Sequence, residues 1–191
     1  MPIPTVLDND AVLVTRIDGG ALAATGNQLI SHGSALLIGV RDGGGSLCHR
    51  RGSEHRYFPV ARGRVDWLEP GEVVALAGTE PFGEAVLVDV RVLPEAPGLS
   101  RTFGDKVLFR NETVCVYEEI LGPAQVRPMH SHAPRLIIPL TGAHAAQRFP
   151  GGDAREDRFP AGGAHWAPHV MTHEIRNIGD APFWAIVVEH A

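Results

Sequence analysis

The sequence predicts an all-β protein made of two tandem copies of one β unit. Three observations predict it. Apolar residues come in short runs rich in Val, Ile and Leu, and no long stretch keeps the 3.6-residue period of an amphipathic helix. Gly, Pro and Asp cut these runs at hairpin spacing, and 22 Gly with 15 Pro make a turn-rich chain. The runs then recur about a hundred residues further on, which is the signature of an internal repeat.

Taken in order, the first set is 11-AVLV-14, 35-ALLIGV-40, 72-EVVALA-77 and 85-AVLVDVRV-92. The second set is 113-TVCVYEEI-120, 136-LIIPL-140 and 183-FWAIVVE-189. Each run has the length of one strand, and short strands separated by turns suit a sandwich or barrel. Residues 78–88 align with 179–189 at a shift of 101, so that Gly78, Pro81, Phe82 and Val86 meet Gly179, Pro182, Phe183 and Val187. Residues 31–40 align with 131–140 at a shift of 100. Trp67 is set against Trp166, and Val12 and Val14 against Val114 and Val116. The chain therefore divides into residues 1–93, a linker over 94–104 that carries proline and glycine without apolar periodicity, and residues 105–191.

Composition narrows the function. A net charge of -5 and the absence of a Lys/Arg run argue against a nucleic-acid partner, which needs a positive stripe. No apolar stretch approaches the ~20 residues that span a bilayer. The amino terminus lacks a basic and then apolar leader, so a cytoplasmic protein with no membrane partner is expected. Only Cys48 and Cys115 are present, and free thiols are the simpler reading.

Histidine is concentrated in the second half, and imidazole is the commonest metal ligand. Met129–His132 reads M-H-S-H, and His130 and His132, two apart on a strand, point to one face. His173, from a neighbouring strand, would complete three donors for a divalent metal. His165 and His169 are candidates for a further ligand, and His165 also competes with His173 for the third place. In the first copy Ile30 is set against His130, His32 against His132, Ala35 against Arg135, Glu72 against His173 and Leu76 against Asn177. The first copy is expected to keep the scaffold and to hold no metal.

Several features have plainer readings. The stretches 42-DGGGS-46, 151-GGD-153 and 161-AGG-163 precede no helix, so they read as hairpin turns and not as phosphate cradles. Trp166, Phe183 and Trp184 would line a pocket or pack the core, and Tyr117 is equally open. His144 and His190 are expected at the surface. Cys48 and His49 are adjacent, so on a strand they point apart and form no nucleophilic pair.

At this point the residues resemble the cupin superfamily. Residues 106–123 are similar to the opening strands of small bacterial cupins, including those associated with β-alanine degradation. The first cupin motif is matched by His130, His132 and Gly142, with Gly122 two residues early for its first glycine. The second is matched by Pro160-x-Gly162 and by His173-x-x-x-Asn177. The resemblance implies two tandem jelly-roll (double-stranded β-helix) barrels, a bicupin, of which residues 105–191 bind Fe, Zn, Ni or Mn through His130, His132 and His173. It places Arg135 where the family has a glutamate ligand. An arginine has no lone pair for a metal, but it can hold a carboxylate by two parallel hydrogen bonds. Three-histidine iron cupins include dioxygenases, so the implied function is dioxygenase-type chemistry on a small organic anion, in a homodimer. A non-catalytic binding or sensor protein is the alternative, and a metal-independent isomerase or lyase is a third.

Overall fold

The computed structural model describes residues 5–18, 28–30, 33–43, 45–77, 83–97, 99 and 104–191. The chain forms two compact units, Met1–Val92 and Leu93–Ala191. The boundary thus falls just before the expected linker, and Leu93 and Ala96 are buried. Among the described residues there is no helix, and so none long and apolar enough to cross a membrane.

The first unit contains β1 (Thr5–Asp8), β2 (Val12–Ile17), β3 (Gln28–Ile30), β4 (Ala35–Arg41), β5 (Ser46–Arg51), β6 (Glu54–Pro59), β7 (Val65–Leu68), β8 (Val73–Ala77) and β9 (Glu84–Val90). The second contains β10 (Lys106–Arg110), β11 (Cys115–Leu121), β12 (Val126–His132), β13 (Arg135–Pro139), β14 (Ala143–Arg148), β15 (Ala154–Phe159), β16 (His165–Ala167), β17 (Met171–Asn177) and β18 (Phe183–Glu189). Each unit has a five-stranded and a four-stranded antiparallel sheet. The orders are β1-β2-β9-β4-β7 with β3-β8-β5-β6, and β10-β11-β18-β13-β16 with β12-β17-β14-β15. Strand for strand, the two orders are the same.

The pairing corrects the sequence alignment in two places. Leu36 lies opposite both Val88 and Trp67, as Leu136 lies opposite both Val188 and Trp166. The repeat therefore runs at a shift of 100 through β9 and β18, not 101. A slip of one residue would turn each side chain to the other face, setting Val86 instead of core-facing Leu87 against Val187. The G-x-x-P-F similarity that suggested 101 rests on Gly78, Pro81 and Phe82, which lie outside the described residues. On β8 and β17 the shift of 101 does hold, since Val74 faces His49 as Ile175 faces Gln147.

A second correction concerns Ile30. Leu29 pairs with Val74 as Arg127 pairs with Ile175, so Ile30 corresponds to Pro128 and not to His130. The bulge that separates Arg127 from His130 in β12 accounts for the difference. His32 and Ser31 lie outside the described residues. The three-histidine group described below is the one metal-type cluster among the described residues.

The core of each unit lies between its two sheets. Leu37, Phe58, Val74, Ala85 and Leu87 form it in the first unit. Ile137, Ile175, Ala185 and Val187 take the same places in the second, where Phe159 joins them from a position two residues beyond that of Phe58. Leu136, Ile138, Ile186 and Val188 are also fully buried, on the other face of the five-stranded sheet. Burial on both faces explains why 136–140 and 183–188 are unbroken apolar runs. The cysteines are buried and form no disulfide. Gly151 and Gly152 have φ of 95° and 96° and turn the chain between β14 and β15, as the hairpin reading requires. In the turn before β12 the left-handed residue is Ala124 (φ 62°), two residues after Gly122. The early Gly122 is thus not the turn's left-handed residue, and an alanine bears the strain.

Candidate metal centre

The centre is built on β12 and β17 of the four-stranded sheet. His130 pairs directly with His173 across the two strands, and His132 is two residues along on the same face. The ring centroids of His130 are 4.6 Å from His132 and 4.7 Å from His173, and those of His132 and His173 are 5.5 Å apart. One donor atom from each histidine lies within 4.8 Å of the others.

Each outer nitrogen is occupied. His130 Nδ1 donates to the Pro128 carbonyl at 2.7 Å, His173 Nδ1 to Gln147 Oε1 at 2.5 Å, and His132 Nδ1 lies 3.1 Å from the Tyr117 hydroxyl. The three Nε2 atoms are buried and have no hydrogen-bond partner. Three buried ring nitrogens without partners would be costly, and a shared cation bound to all three satisfies them at once. The donor set therefore fits a divalent metal ion, with open coordination positions on the cavity side.

The rings are kept neutral, as ligation requires. Burial, then Arg135, pushes His173 down to about 3. The same two causes, in the same order, hold His132 far below its ordinary value. Burial also lowers His130, although its bond to Pro128 opposes the shift. Burial, followed by Glu189 and Glu119, keeps the Tyr117 hydroxyl protonated.

A cavity of about 320 Å³ opens beside the histidines. Arg135 and His173 line it, with Glu119 and the apolar side chains of Ile137, Phe159, Ile175 and Phe183. Arg135 is only 3% exposed, and its Nε and Nη1 have no hydrogen-bond partner. Its orientation, which strand parity could not decide after Pro134, is inward. Burial lowers its pKa, while Tyr117, Glu119 and Glu189 raise it; a guanidinium stays charged under such conditions. Glu119 is itself buried, 3.7 Å from Arg127, which also pairs with Asp105 at 2.7 Å.

The other sequence-predicted residues separate. His165 and His169 line the cavity wall and are not in the three-histidine group. His165 rests edge-on against Phe159, ring centroids 5.1 Å apart. Trp166 and Phe183 line the cavity, whereas Trp184 does not. Asn177 is fully buried and binds no cavity group; it ties the carbonyls of Leu121 and Ala181 to the Gly179 amide. His144 pairs with Glu156 at 2.9 Å. Sequence reasoning missed Gln147, Asp157, Arg155 and Glu119. Alternation along Ala143, Ala145 and Gln147 was the signal available for Gln147, a polar side chain at an inward position.

All-β units of this strand order, with paired sheets around an inward histidine set, have the cupin fold. The chain is similar to oxalate decarboxylase of Bacillus subtilis. A deletion mutant of that enzyme matches with a TM-score of 0.60 and 11% identity, over 99% of this chain and 76% of that one. A structure from work on the Mn(II) centres of the same enzyme matches with a TM-score of 0.59 and 10% identity, over 98% and 74% of the two chains. At such identities the likeness establishes the fold. A cupin domain from Bordetella pertussis Tohama I shares 23% identity over 49% of this chain and 99% of its own, with a TM-score of 0.43. No family model and no curated protein matches the chain.

Proposed function

We propose that the chain is a metal-dependent bicupin enzyme whose second barrel acts on a small organic anion by dioxygenase-type chemistry. The observation that carries this reading is the convergence of three buried, partnerless Nε2 atoms beside a buried arginine. His130, His132 and His173 would hold Fe, Mn, Zn or Ni, and the Mn(II) centres of the oxalate decarboxylase keep manganese among the candidates. A divalent ion there supplies Lewis acidity and open positions for substrate. Three neutral imidazoles leave its charge uncompensated, which favours an anionic ligand.

The chain's own residues then define the substrate. Arg135 offers unpartnered donors to a carboxylate, and Ile137, Phe159, Ile175 and Phe183 favour an apolar body. A small carboxylic acid with a short aliphatic or aromatic body fits both. The protein acts in the cytoplasm as a homodimer.

Tag-free protein loaded with Fe(II) and offered thiols, β-diketones and small carboxylic acids should consume oxygen with one of them. Saturable binding without oxygen uptake would replace this reading with the sensor protein. Turnover that persists with no metal bound would replace it with a metal-independent isomerase or lyase.

A further inference from the structure

His173 sits in a closed circuit of contacts. Its Nδ1 meets Gln147 Oε1 at 2.5 Å, and Gln147 Nε2 donates to Asp157 Oδ2. Arg155 Nε donates to the same carboxylate oxygen at 2.8 Å. The Arg155 guanidinium lies over the Phe149 ring at 5.2 Å, and that ring stacks on His173 with centroids 6.3 Å apart and planes at 24°. The circuit returns to the histidine from its other side.

We infer that Asp157, through Gln147, fixes which nitrogen of His173 carries the proton, and that Gln147, Asp157 and Arg155 are positioning residues for the metal ligand. The logic is one of donors and acceptors. A carboxylate oxygen accepts, and Asp157 Oδ2 already accepts the Arg155 Nε–H. Asp157 therefore takes the amide NH₂ of Gln147. That leaves only the amide oxygen to face His173. An acceptor facing Nδ1 requires a proton on Nδ1, so the lone pair is on Nε2, which points at the other two histidines. A chain of three polar residues across β14 and β15 thus sets the tautomer of a residue on β17.

An asparagine at 157 can donate as well as accept. The Gln147 amide is then free to turn and present its NH₂ to His173, which moves the proton to Nε2 and removes the lone pair. The tautomer depends on no metal. Its consequence for affinity rests on the function proposed above.

Long-range ¹H–¹⁵N correlation spectra of the metal-free protein, with His173 assigned by substitution, test this directly. Wild type should show a single Nδ1–H tautomer at His173. Asp157→Asn and Gln147→Met should show mixed tautomers, and both should weaken Zn(II) binding about 10- to 100-fold. Arg155→Gln, which leaves both hydrogen-bonding partners in place, should show a smaller effect in the same direction and serves as the readout should Asp157→Asn fail to fold. Unchanged His173 tautomer signals in Asp157→Asn and Gln147→Met, or in Arg155→Gln and Gln147→Met, would overturn the inference. A tautomer that changes as expected in protein that binds no Zn(II) would instead count against the proposed metal function alone.

Discussion

His130 of β12 and His173 of β17 are direct cross-strand partners, with ring centroids 4.7 Å apart, although 43 positions separate them in the chain. His173, and not His165, joins His130 and His132 in the three-histidine group. Replacing His132 or His173 by alanine should abolish stoichiometric metal binding, while His165→Ala should retain it. Equilibrium dialysis against Zn(II) or Mn(II) separates the two outcomes.

Arg135 should act on the ligand and not on the metal. Arg135→Lys keeps the buried positive charge beside Glu119 and Glu189 but loses the planar fork. We expect metal content to be unchanged and binding of a small carboxylate such as benzoate to fall about 10- to 100-fold, the loss of one charged hydrogen bond. Calorimetric titration of the metal-loaded protein measures it.

Two predictions concern the scaffold that aims the histidines. Ala124 holds φ of 62°, a conformation that costs an L-residue roughly 1–2 kcal/mol. Glycine removes that strain but gives the unfolded chain roughly 0.4–1 kcal/mol of extra entropy. Ala124→Gly should therefore raise stability by about 0.5–1 kcal/mol in urea unfolding.

Asn177 is the opposite case. Its buried amide closes the turn after β17 through three hydrogen bonds, to Leu121, Ala181 and Gly179. Asn177→Ala leaves those backbone groups unsatisfied and should cost about 2–4 kcal/mol, again read by urea unfolding.

The metal-free protein should lose stability in acid for an identifiable reason. His173 is held at about 3, against an ordinary 6.5. Between those values the unfolded chain binds a proton that the folded chain does not, so stability rises with pH through the window and is complete above about 6.5. His132 and His130 are shifted in the same direction. Unfolding free energies measured from about pH 4 to 7 should fall toward acid, with a shallower slope in His173→Gln.

The all-β class was legible because strands buried on both faces, such as β13 and β18, read as unbroken apolar runs bounded by turns. The duplication was legible too, because Trp67 and Trp166 each pair with an equivalent leucine. Its register was not, since the bulge in β12 breaks the count that a linear alignment assumes. The H-x-H pair announced itself through strand alternation. The direction of Arg135 did not, because Pro134 interrupts the alternation immediately before it. Gln147 and Asp157 were silent for a different reason: they act on His173 through hydrogen bonds across strands, and no spacing in the chain encodes such a contact.

The proposed function requires that three histidines of the second unit hold one metal ion. Metal analysis of tag-free protein, incubated with Fe(II), Mn(II), Zn(II) or Ni(II) and then desalted, tests this requirement. One ion per chain is expected in wild type and none in His132→Ala or His173→Ala. Wild-type protein that retains no ion, or variants that retain as much as wild type, would contradict it.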